Sequence, residues 1–304
     1  MTAPVGAPGG PPAVGAPDGV AAAPGRPWPR LVVGGVRFDA VDQRAAADYV
    51  VGRWRRAQGG RVVTPNVDIL RQATVDRGLA ALVAGADLVL ADGMPIVWAA
   101  RLAGRALPGR VPGSALGPLL ARRAADGGVP LFLLGGAEGA AERAAAALRA
   151  AHPGLHVAWH FPPFGFESDP TAQAGIESAL AAFGPCVCLV GLGFPKQDLL
   201  ARRLLGRFPT SWFVGVGATI EFMAGDRRRA PVAVQRLGLE WAHRLALEPR
   251  RLAERYLRRD LPFALALLAR SAVARVRPSD RPAARRWPSE RRRRGPGGGG
   301  SSPS

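Results

Sequence analysis

The sequence predicts an α/β fold: a Rossmann-like, mostly parallel sheet with helices on both faces, plus a C-terminal helical appendage. Two observations support the sheet. Short apolar runs alternate with Ala- and Leu-rich stretches of helical length, which is typical of βαβ units. The runs are apolar at consecutive positions, as in strands that are covered on both faces. In chain order they are RVVTPN, ADLVLADG, VPLFLLGG, HVAWHF, PCVCLVGLG and SWFVGVG.

Around this pattern the chain of 304 residues divides into four predicted parts. Residues 1–29 form an Ala/Pro/Gly-rich tract with too few large apolar residues to become ordered. Residues 30–236 form the α/β core, and residues 237–275 form the helical, basic appendage. Residues 276–304 form a second disordered tail, basic and rich in Gly and Pro. We expect no signal peptide and no membrane span, because no apolar stretch reaches about 18 residues.

Charge and cysteine content narrow the functional classes. The formal net charge is +18, and most of the excess lies beyond Asp226, where arginines far outnumber acidic residues. Such a bias favours anionic partners: phosphates, anionic lipid surfaces or nucleic acid. A nucleic-acid-binding module is the weaker alternative, because the basic tail has little beyond Trp287 to stack on bases. Cys186 and Cys188 lie within one apolar run, so we interpret them as reduced core residues of a cytoplasmic protein.

Asp92 is the first candidate site residue. It ends an apolar run and is followed at once by Gly93 and, two positions later, by Pro95. Open α/β sheets collect ligands and catalytic groups at the carboxyl ends of their strands, where a carboxylate is well placed to act as a general base. Aspartate also favours tight turns, so a turn-forming role is the alternative.

A second candidate lies in the turn GGAEG, which connects the run LFLL to a helical stretch. Gly135 and Gly136 would allow backbone N–H groups to approach a phosphate at the positive end of a helix. Neither this turn nor GLGFPK completes the dinucleotide-binding pattern G-x-G-x-x-G. A nicotinamide-dependent oxidoreductase is therefore disfavoured but stays open, and purely structural turn glycines fit equally well.

Metal chemistry has little support in the sequence. His152, His156 and His160 flank a predicted strand, and His243 lies in the appendage, without further ligands nearby. We interpret all four as non-catalytic, since Pro153 and Gly154 argue against a helical face that would align the first three. The sequence has no paired-acid motif of the DxD kind, which predicts metal independence.

Seven segments, in this order, resemble the WecG/TagA/CpsF family of bacterial glycosyltransferases, and together they span nearly everything between the two tails. The segments are TPNVDIL (64–70), LADGMPIVWAARL (90–102), RVPGSAL (110–116), LFLLGGAEG (131–139), VGLGFPKQD (190–198), GVGATIEFMAGDRRRAP (215–231) and GLEWAHRLALEPRRLAERY (238–256). Seven ordered blocks are a far more specific signal than any single glycine pattern.

The resemblance implies an inverting, metal-independent transferase without a cofactor. It would move a sugar, often of the N-acetylmannosamine type, from a UDP donor to a polyprenyl-diphosphate-linked sugar in cell-surface polysaccharide synthesis. The enzyme would work at the inner face of the cell membrane as a peripheral protein, and a homo-oligomer would hide the site in solution. Anionic lipid and a diphosphate acceptor would account for the basic charge, and no nucleic acid is expected.

The family's functional residues transfer to this chain position by position. Asp92 matches the proposed general base, Thr64 and Asn66 match polar pocket residues, and Gln197 matches a position near the substrates. Three arginines match or lie beside those that reach the diphosphate: Arg244, Arg251 and Arg255. For Lys196, the only lysine, a phosphate contact and a solvated charge are equally compatible with the sequence. The chain departs from the family pattern at Asp198, Glu221 and Glu254, which leaves the roles of Glu221 and Glu254 open.

The appendage has a basic and an apolar side in the sequence. Helical spacing places four arginines on one face: Arg244, Arg251, Arg255 and Arg258. Pro249 predicts a break into two helices. The following run LPFALALLA (261–269) is too short to span a bilayer and suits the headgroup boundary, which favours a membrane-surface role over a solvated basic face. We expect this segment to fold over the active site at the membrane.

Overall fold

A computed structural model describes residues 26–227, 230–231, 234 and 240–276. Its centre is a six-stranded, fully parallel sheet in the order β4-β3-β8-β7-β5-β6. The six strands are β3 (Gly60–Val63), β4 (Leu88–Val89), β5 (Leu131–Gly135), β6 (Val157–His160), β7 (Val187–Gly191) and β8 (Trp212–Gly215). Each of the six predicted runs contains one strand, so the predicted parallel sheet is confirmed.

Helices cover both faces of this sheet, as predicted. The helices up to the last strand and just beyond it are α1 (Gln43–Trp54), α2 (Val67–Val75), α3 (Arg77–Ala84), α4 (Met94–Leu102), α5 (Gly113–Gly127), α6 (Ala140–Ala151), α7 (Pro170–Phe183), α8 (Lys196–Arg207) and α9 (Thr219–Met223). A short 3₁₀ helix, Phe166–Ser168, precedes α7.

Alternating strand residues separate the core into layers. Leu131 and Leu133 point to the face covered by α1, α5 and α6, whereas Phe132 and Leu134 point to the face covered by α7 and α8. Successive side chains of a strand point to opposite faces, so a strand covered on both sides needs apolar residues at every position. Cys186 and Cys188 belong to the second layer, and both are free thiols. This confirms their interpretation as reduced core residues.

A hairpin that the sequence analysis did not predict flanks the sheet. Strands β1 (Arg30–Val33) and β2 (Val36–Asp39) pair in antiparallel register. The carboxylate of Asp39, almost fully buried, accepts hydrogen bonds from Trp28 Nε1 (3.2 Å), from the Arg30 guanidinium (3.1 Å) and from the backbone N–H of Val89 in β4 (2.9 Å). Trp28 also packs on Tyr49. The described core therefore begins a few residues before the predicted boundary at residue 30, while residues 1–25 lie outside the described part.

The C-terminal helical segment, residues 240–276, packs against the core. It comprises the helices Glu240–Leu247 and Pro249–Ala253, the π-helix Glu254–Asp260 and the helix Leu261–Val276. The break predicted at Pro249 is present. Leu267 lies in one buried cluster with Ile96 of α4 and Leu70 of α2. The run 261–269 thus places one side in the protein core, and only its other side is available to a membrane. The predicted tail beyond Val276 and the boundary at residue 236 lie outside the described residues.

Candidate functional site

A cavity of about 910 Å³ opens at the carboxyl edge of the sheet. Loops that follow β3, β4, β5, β6, β7 and β8 form its floor, and the C-terminal helical segment forms a wall. Between β7 and β5 the direction of the chain connections reverses, because β7 leads to β8 on one side and β5 leads to β6 on the other. Such switch points form the crevices in which open α/β sheets bind ligands.

Asp92 lines this cavity at the β4 side. The chain beyond β4 continues beside the chain beyond β3, since Leu90 N bonds to Val63 O and Asp92 N bonds to Pro65 O, each at 2.9 Å. Gly93 then takes φ 139°, a conformation that residues with a side chain avoid, and α4 starts at the next residue. The abrupt turn holds the Asp92 carboxylate at the N-terminus of a helix, where the helix dipole favours negative charge.

Thr64 and Asn66 lie beside Asp92 in the same cavity, and both also have local structural partners. The Thr64 hydroxyl donates to the carbonyl oxygen of Gly215, the last residue of β8, at 3.4 Å. The Asn66 side-chain oxygen accepts from Ile69 N at 3.0 Å and caps the first turn of α2. The structure therefore brings the three predicted catalytic residues together, and their chemical roles stay predictions.

Gln197 connects two loops of the cavity floor. It is only 5% exposed, and its side-chain oxygen accepts from Gly193 N, after β7, and from Gly217 N, after β8, each at 3.2 Å. Gln197 itself is buried, whereas Gly193 is exposed and Gly217 is partly buried, so each hydrogen bond contributes about 0.5–1.5 kcal/mol. The structure gives Gln197 a positioning role for both loops, while its direct substrate contact stays a prediction.

Asp198, one of the departures from the family pattern, is buried behind Gln197 at the start of α8. Arg61, also buried, approaches it through the Asp198 backbone oxygen (3.4 Å) and donates to Leu82 O (3.1 Å). Burial raises the pKa of Asp198 to about 6, although a hydrogen bond from Gln197 and the charge of Arg61 oppose that rise. Burial also lowers the pKa of Arg61. The two charges are therefore poorly solvated, and Coulomb attraction only partly compensates for this.

Lys196 lies at the rim of the cavity and has a protein partner. Its ammonium group forms an ion pair with Glu167 and lies 5.3 Å from the ring centre of Phe164. The Lys196 side chain is 48% exposed, so both alternatives for this residue, a solvated charge and a phosphate contact, stay open. A phosphate that binds Lys196 would have to compete with Glu167, so the phosphate contact stays a prediction.

Packing and backbone conformation both account for the two candidate glycines, since Gly135 has φ 95° and Gly136 has φ 86°. A Cβ atom on Gly135 would lie 2.6 Å from the side chain of Leu192, and one on Gly136 would lie 3.0 Å from that of Ile220. The N–H of Gly136 already donates to Gly191 O at 2.8 Å. Gly136 lines the cavity, as do Ala137 and Glu138 of the same turn. A phosphate at this turn stays a prediction, as does the alternative of purely structural turn glycines, and the Gly136 N–H already has a backbone acceptor.

Two cavity arginines had no assigned role in the sequence analysis, and both pair with the C-terminal helical segment. Arg110 Nη1 lies 3.1 Å from Glu240 Oε2, and Arg227 Nη1 lies 3.2 Å from Glu248 Oε1. All four residues line the cavity. Arg110 belongs to the segment RVPGSAL, but its partner is 130 positions away. No local pattern predicts such a contact.

The predicted basic face of the appendage is only partly present. Arg255 lines the cavity, with its guanidinium 4.8 Å from the ring centre of Tyr256, whereas Arg258 is exposed. Both belong to the π-helix, whose wider turn breaks the α-helical spacing on which the single face depended. That prediction is wrong for this pair. Arg244 and Arg251 lie in the two preceding helices, and their side chains are outside the described part.

A charged cluster holds the π-helix on α2. Arg71 contacts Asp68 Oδ1 at 2.7 Å and Asp260 Oδ1 at 3.5 Å. Burial, reinforced by the negative charge of Asp68, raises the pKa of Asp260 to about 6, while Arg255 and Arg71 oppose the rise. Asp68 and Asp260 both line the cavity. The cluster fixes the wall that carries Arg255.

The remaining departures from the family pattern occupy different places. Glu221, in α9, lines the cavity. Glu254 lies on the surface of the π-helix and pairs with Arg259 at 2.5 Å. Within the described ranges, no group of three or more His, Cys, Asp or Glu side chains is arranged to hold a metal ion. In the same part of the chain, no helix is long and apolar enough to cross a membrane.

Comparison with known protein families gives one match. The model of the glycosyl transferase WecG/TagA/CpsF family matches residues 31–277, which is most of the chain. The matched range includes every strand of the sheet and the whole described C-terminal helical segment. It favours the glycosyltransferase interpretation over the oxidoreductase and nucleic-acid-binding alternatives.

Proposed function

Because this chain belongs to the WecG/TagA/CpsF family of glycosyl transferases, we propose that it moves an N-acetylmannosamine-type or related sugar from a UDP donor to a polyprenyl-diphosphate-linked sugar. The transfer inverts the anomeric configuration, needs no metal ion or cofactor, and serves cell-surface polysaccharide synthesis. Membership of the family makes the chain a glycosyltransferase, and the specific substrates and mechanism are the proposal.

The placement of Asp92 is the observation that carries this proposal. Its carboxylate lies in one cavity with the glycine turns at the switch point between β5 and β7 and with Arg255 on the opposite wall. The switch point is the preferred place for the nucleotide of the donor. The sugar of the donor then extends towards β3 and β4, where Asp92, Thr64 and Asn66 would surround the reacting atoms.

The proposed reaction is a single displacement. Asp92 takes the proton of the acceptor hydroxyl as its oxygen bonds to the anomeric carbon. The bond from that carbon to the UDP oxygen breaks, and UDP leaves with the electron pair. Negative charge grows on the departing diphosphate, so cationic side chains nearby stabilise the transition state more than the bound substrate. We propose this role for Arg255, which lines the cavity, together with Arg244 and Arg251.

We further propose a peripheral association with the inner face of the cell membrane, where the lipid-linked acceptor resides. The net charge of +18 favours an anionic lipid surface. Residues 30–236 form the catalytic core in this proposal, and residues 237–275 form the part that contacts lipid and closes the active site. A homo-oligomer in solution is also proposed.

The test is product analysis. The purified chain is incubated with a panel of UDP-sugars and a short-chain lipid-diphosphate-linked sugar, and the product is identified by mass spectrometry and its anomeric configuration by NMR. We expect transfer from one UDP-sugar with inversion. Retention of configuration, or transfer only from a donor with another nucleotide, would contradict the proposal.

A further inference from the structure

Two sets of partly exposed apolar side chains, here called ridges, line the same cavity as Asp92. One is formed by Met94 and Trp98, one turn apart on α4. The other is formed by Leu261, Leu265 and Leu268, at helical spacing on the helix Leu261–Val276. The two helices pack against each other, and the part of the cavity lined by both ridges is here called the α4 groove.

The ridges are exposed although their helices are firmly packed. Trp98 is 40% exposed, Leu261 is 43% exposed and Leu265 is 59% exposed. On the inner sides of the same helices, Ile96 and Leu267 are buried in one common cluster. The groove is therefore a fixed feature of the fold. Contiguous exposed apolar surface of this kind marks a binding site, because its burial is favourable by roughly 25 cal/mol per Å².

We propose that the α4 groove binds the hydrocarbon chain of the lipid-linked acceptor, next to its diphosphate. This inference rests on the proposed function, because it extends the acceptor subsite of that reaction. α4 begins at Met94, two residues after Asp92, so Trp98 lies roughly 6 Å along the helix axis from its start, at about 1.5 Å per residue. A sugar at Asp92 thus places its diphosphate near the start of the groove and its chain between the ridges.

The polarity of the groove matches this occupant. The cavity is lined both by charged side chains, such as Asp92 and Arg255, and by the apolar ridges. Arg101 on α4 and Arg258, three residues before Leu261, are exposed close to the ridges in the sequence, where their charge favours anionic phosphate groups. A molecule with a polar, diphosphate-bearing head and a long hydrocarbon chain suits both kinds of lining at once. A bilayer surface or a protein partner that covers the same ridges is the competing outcome.

The experiment compares the double variant Trp98→Ala/Leu265→Ser with a matched control, Trp159→Ala/Leu199→Ser. Trp159 on β6 is 38% exposed and Leu199 on α8 is 44% exposed, and neither lines the cavity. Each protein is assayed with two acceptors that carry the same sugar diphosphate, one on a full-length prenyl chain and one on a single isoprene unit. We expect the ratio of kcat/KM for the long chain to that for the short chain to fall about tenfold or more in the groove variant only.

A binding measurement makes the test independent of sugar transfer. Titration calorimetry is done with farnesyl diphosphate and with inorganic pyrophosphate, without lipid or detergent. The ratio of the two affinities measures the preference for the prenyl chain. We expect this preference to fall about tenfold in the groove variant and to persist in the control. If no UDP-sugar and acceptor pair reacts at all, the proposed function fails, and the titration still decides whether the groove binds a prenyl chain.

Three outcomes would overturn the inference. If kcat/KM fell equally for the long and short acceptors, the effect would belong to the polar site. The same conclusion would follow if the affinities for farnesyl diphosphate and pyrophosphate fell equally. An equal loss in the control variant would assign it to general surface hydrophobicity. Weaker binding to anionic vesicles with an unchanged preference for farnesyl diphosphate would show that the ridges contact the bilayer or a partner instead. Thermal unfolding of both variants checks that they are folded.

Discussion

Replacement of Gln197 by methionine is expected to weaken the fold and the donor site together. Methionine has a similar length but offers no comparable acceptor, so the N–H groups of Gly193 and Gly217 both lose their partner in a site that is only 5% exposed at Gln197. Gly193 is exposed and Gly217 is partly buried, so water can partly replace the lost acceptor and each hydrogen bond contributes about 0.5–1.5 kcal/mol. For the two bonds, the expected loss of unfolding free energy is about 1–2 kcal/mol.

The same change should raise the KM for the donor more than it lowers kcat. Both loops that Gln197 connects line the cavity at the switch point, so their displacement disturbs the nucleotide subsite more than Asp92. At about 2–4 °C per kcal/mol for a domain of this size, the melting temperature should fall by roughly 2–8 °C. Thermal unfolding without ligand and steady-state kinetics with varied donor provide the two readouts.

Gln43→Met is the matched control. The Gln43 amide donates to Ala115 O at 2.8 Å, and the residue does not line the cavity. Loss of this hydrogen bond should lower the unfolding free energy by about 1 kcal/mol and leave the donor KM unchanged. If Gln197→Met raises the donor KM without lowering the melting temperature, Gln197 contacts the substrate directly and the positioning argument is wrong. If neither quantity changes beyond the control, the two hydrogen bonds have no such importance.

Four further predictions follow from the same geometry. Asp92→Asn should lower kcat by about 100-fold with little change in donor binding, as for a lost general base; near-normal turnover would exclude that role, and Asp76→Asn, a helix cap outside the cavity, is the control. Arg255→Ala should lower kcat more than it raises KM, whereas exposed Arg250→Ala should change neither. Chelators should leave transfer intact, and activity lost with chelator and restored by Mg²⁺ or Mn²⁺ would contradict metal independence. Because Asp198 has a folded pKa of about 6 against an ordinary 3.8, the folded state keeps a proton that the unfolded chain releases, so unfolding free energy should fall by about 3 kcal/mol as pH rises from about 4 to 6. Asp198→Asn should flatten that decline in urea titrations, and an unchanged slope would refute the assignment.

The sheet was predictable because its strands are apolar at every position and are separated by helices. The hairpin β1–β2 was missed, although a signal is present: Gly34 and Gly35 separate two short runs of alternating hydrophobic residues, which is typical of a two-residue hairpin turn. Residues 1–25 lie outside the described part, so the predicted boundary between the Ala/Pro/Gly-rich tract and the core stays a prediction. Trp28 shows that packing continues into the end of that tract.

The candidate site was predictable where it depends on strand ends. Asp92 and Thr64 follow neighbouring parallel strands, so the topology alone brings them together. Contacts between distant segments were not predictable, as with Arg110 and Glu240, because nothing local in either segment specifies the other. The prediction that Arg255 and Arg258 share one helix face was not met for a different reason. It assumed the residue spacing of an α-helix, whereas both residues lie in a π-helix.

The buried carboxylate of Asp39 has a consequence for how copies of this chain associate. An edge strand normally presents unpaired backbone groups to which another chain can add a strand. At β4 the outward N–H of Val89 is already bonded to Asp39, and the hairpin covers this border of the sheet. A second copy therefore cannot lengthen the sheet beside β4. Any homo-oligomer has to form through other surfaces, and the edge nearest Asp92 is protected from the strand-by-strand addition that leads to aggregation.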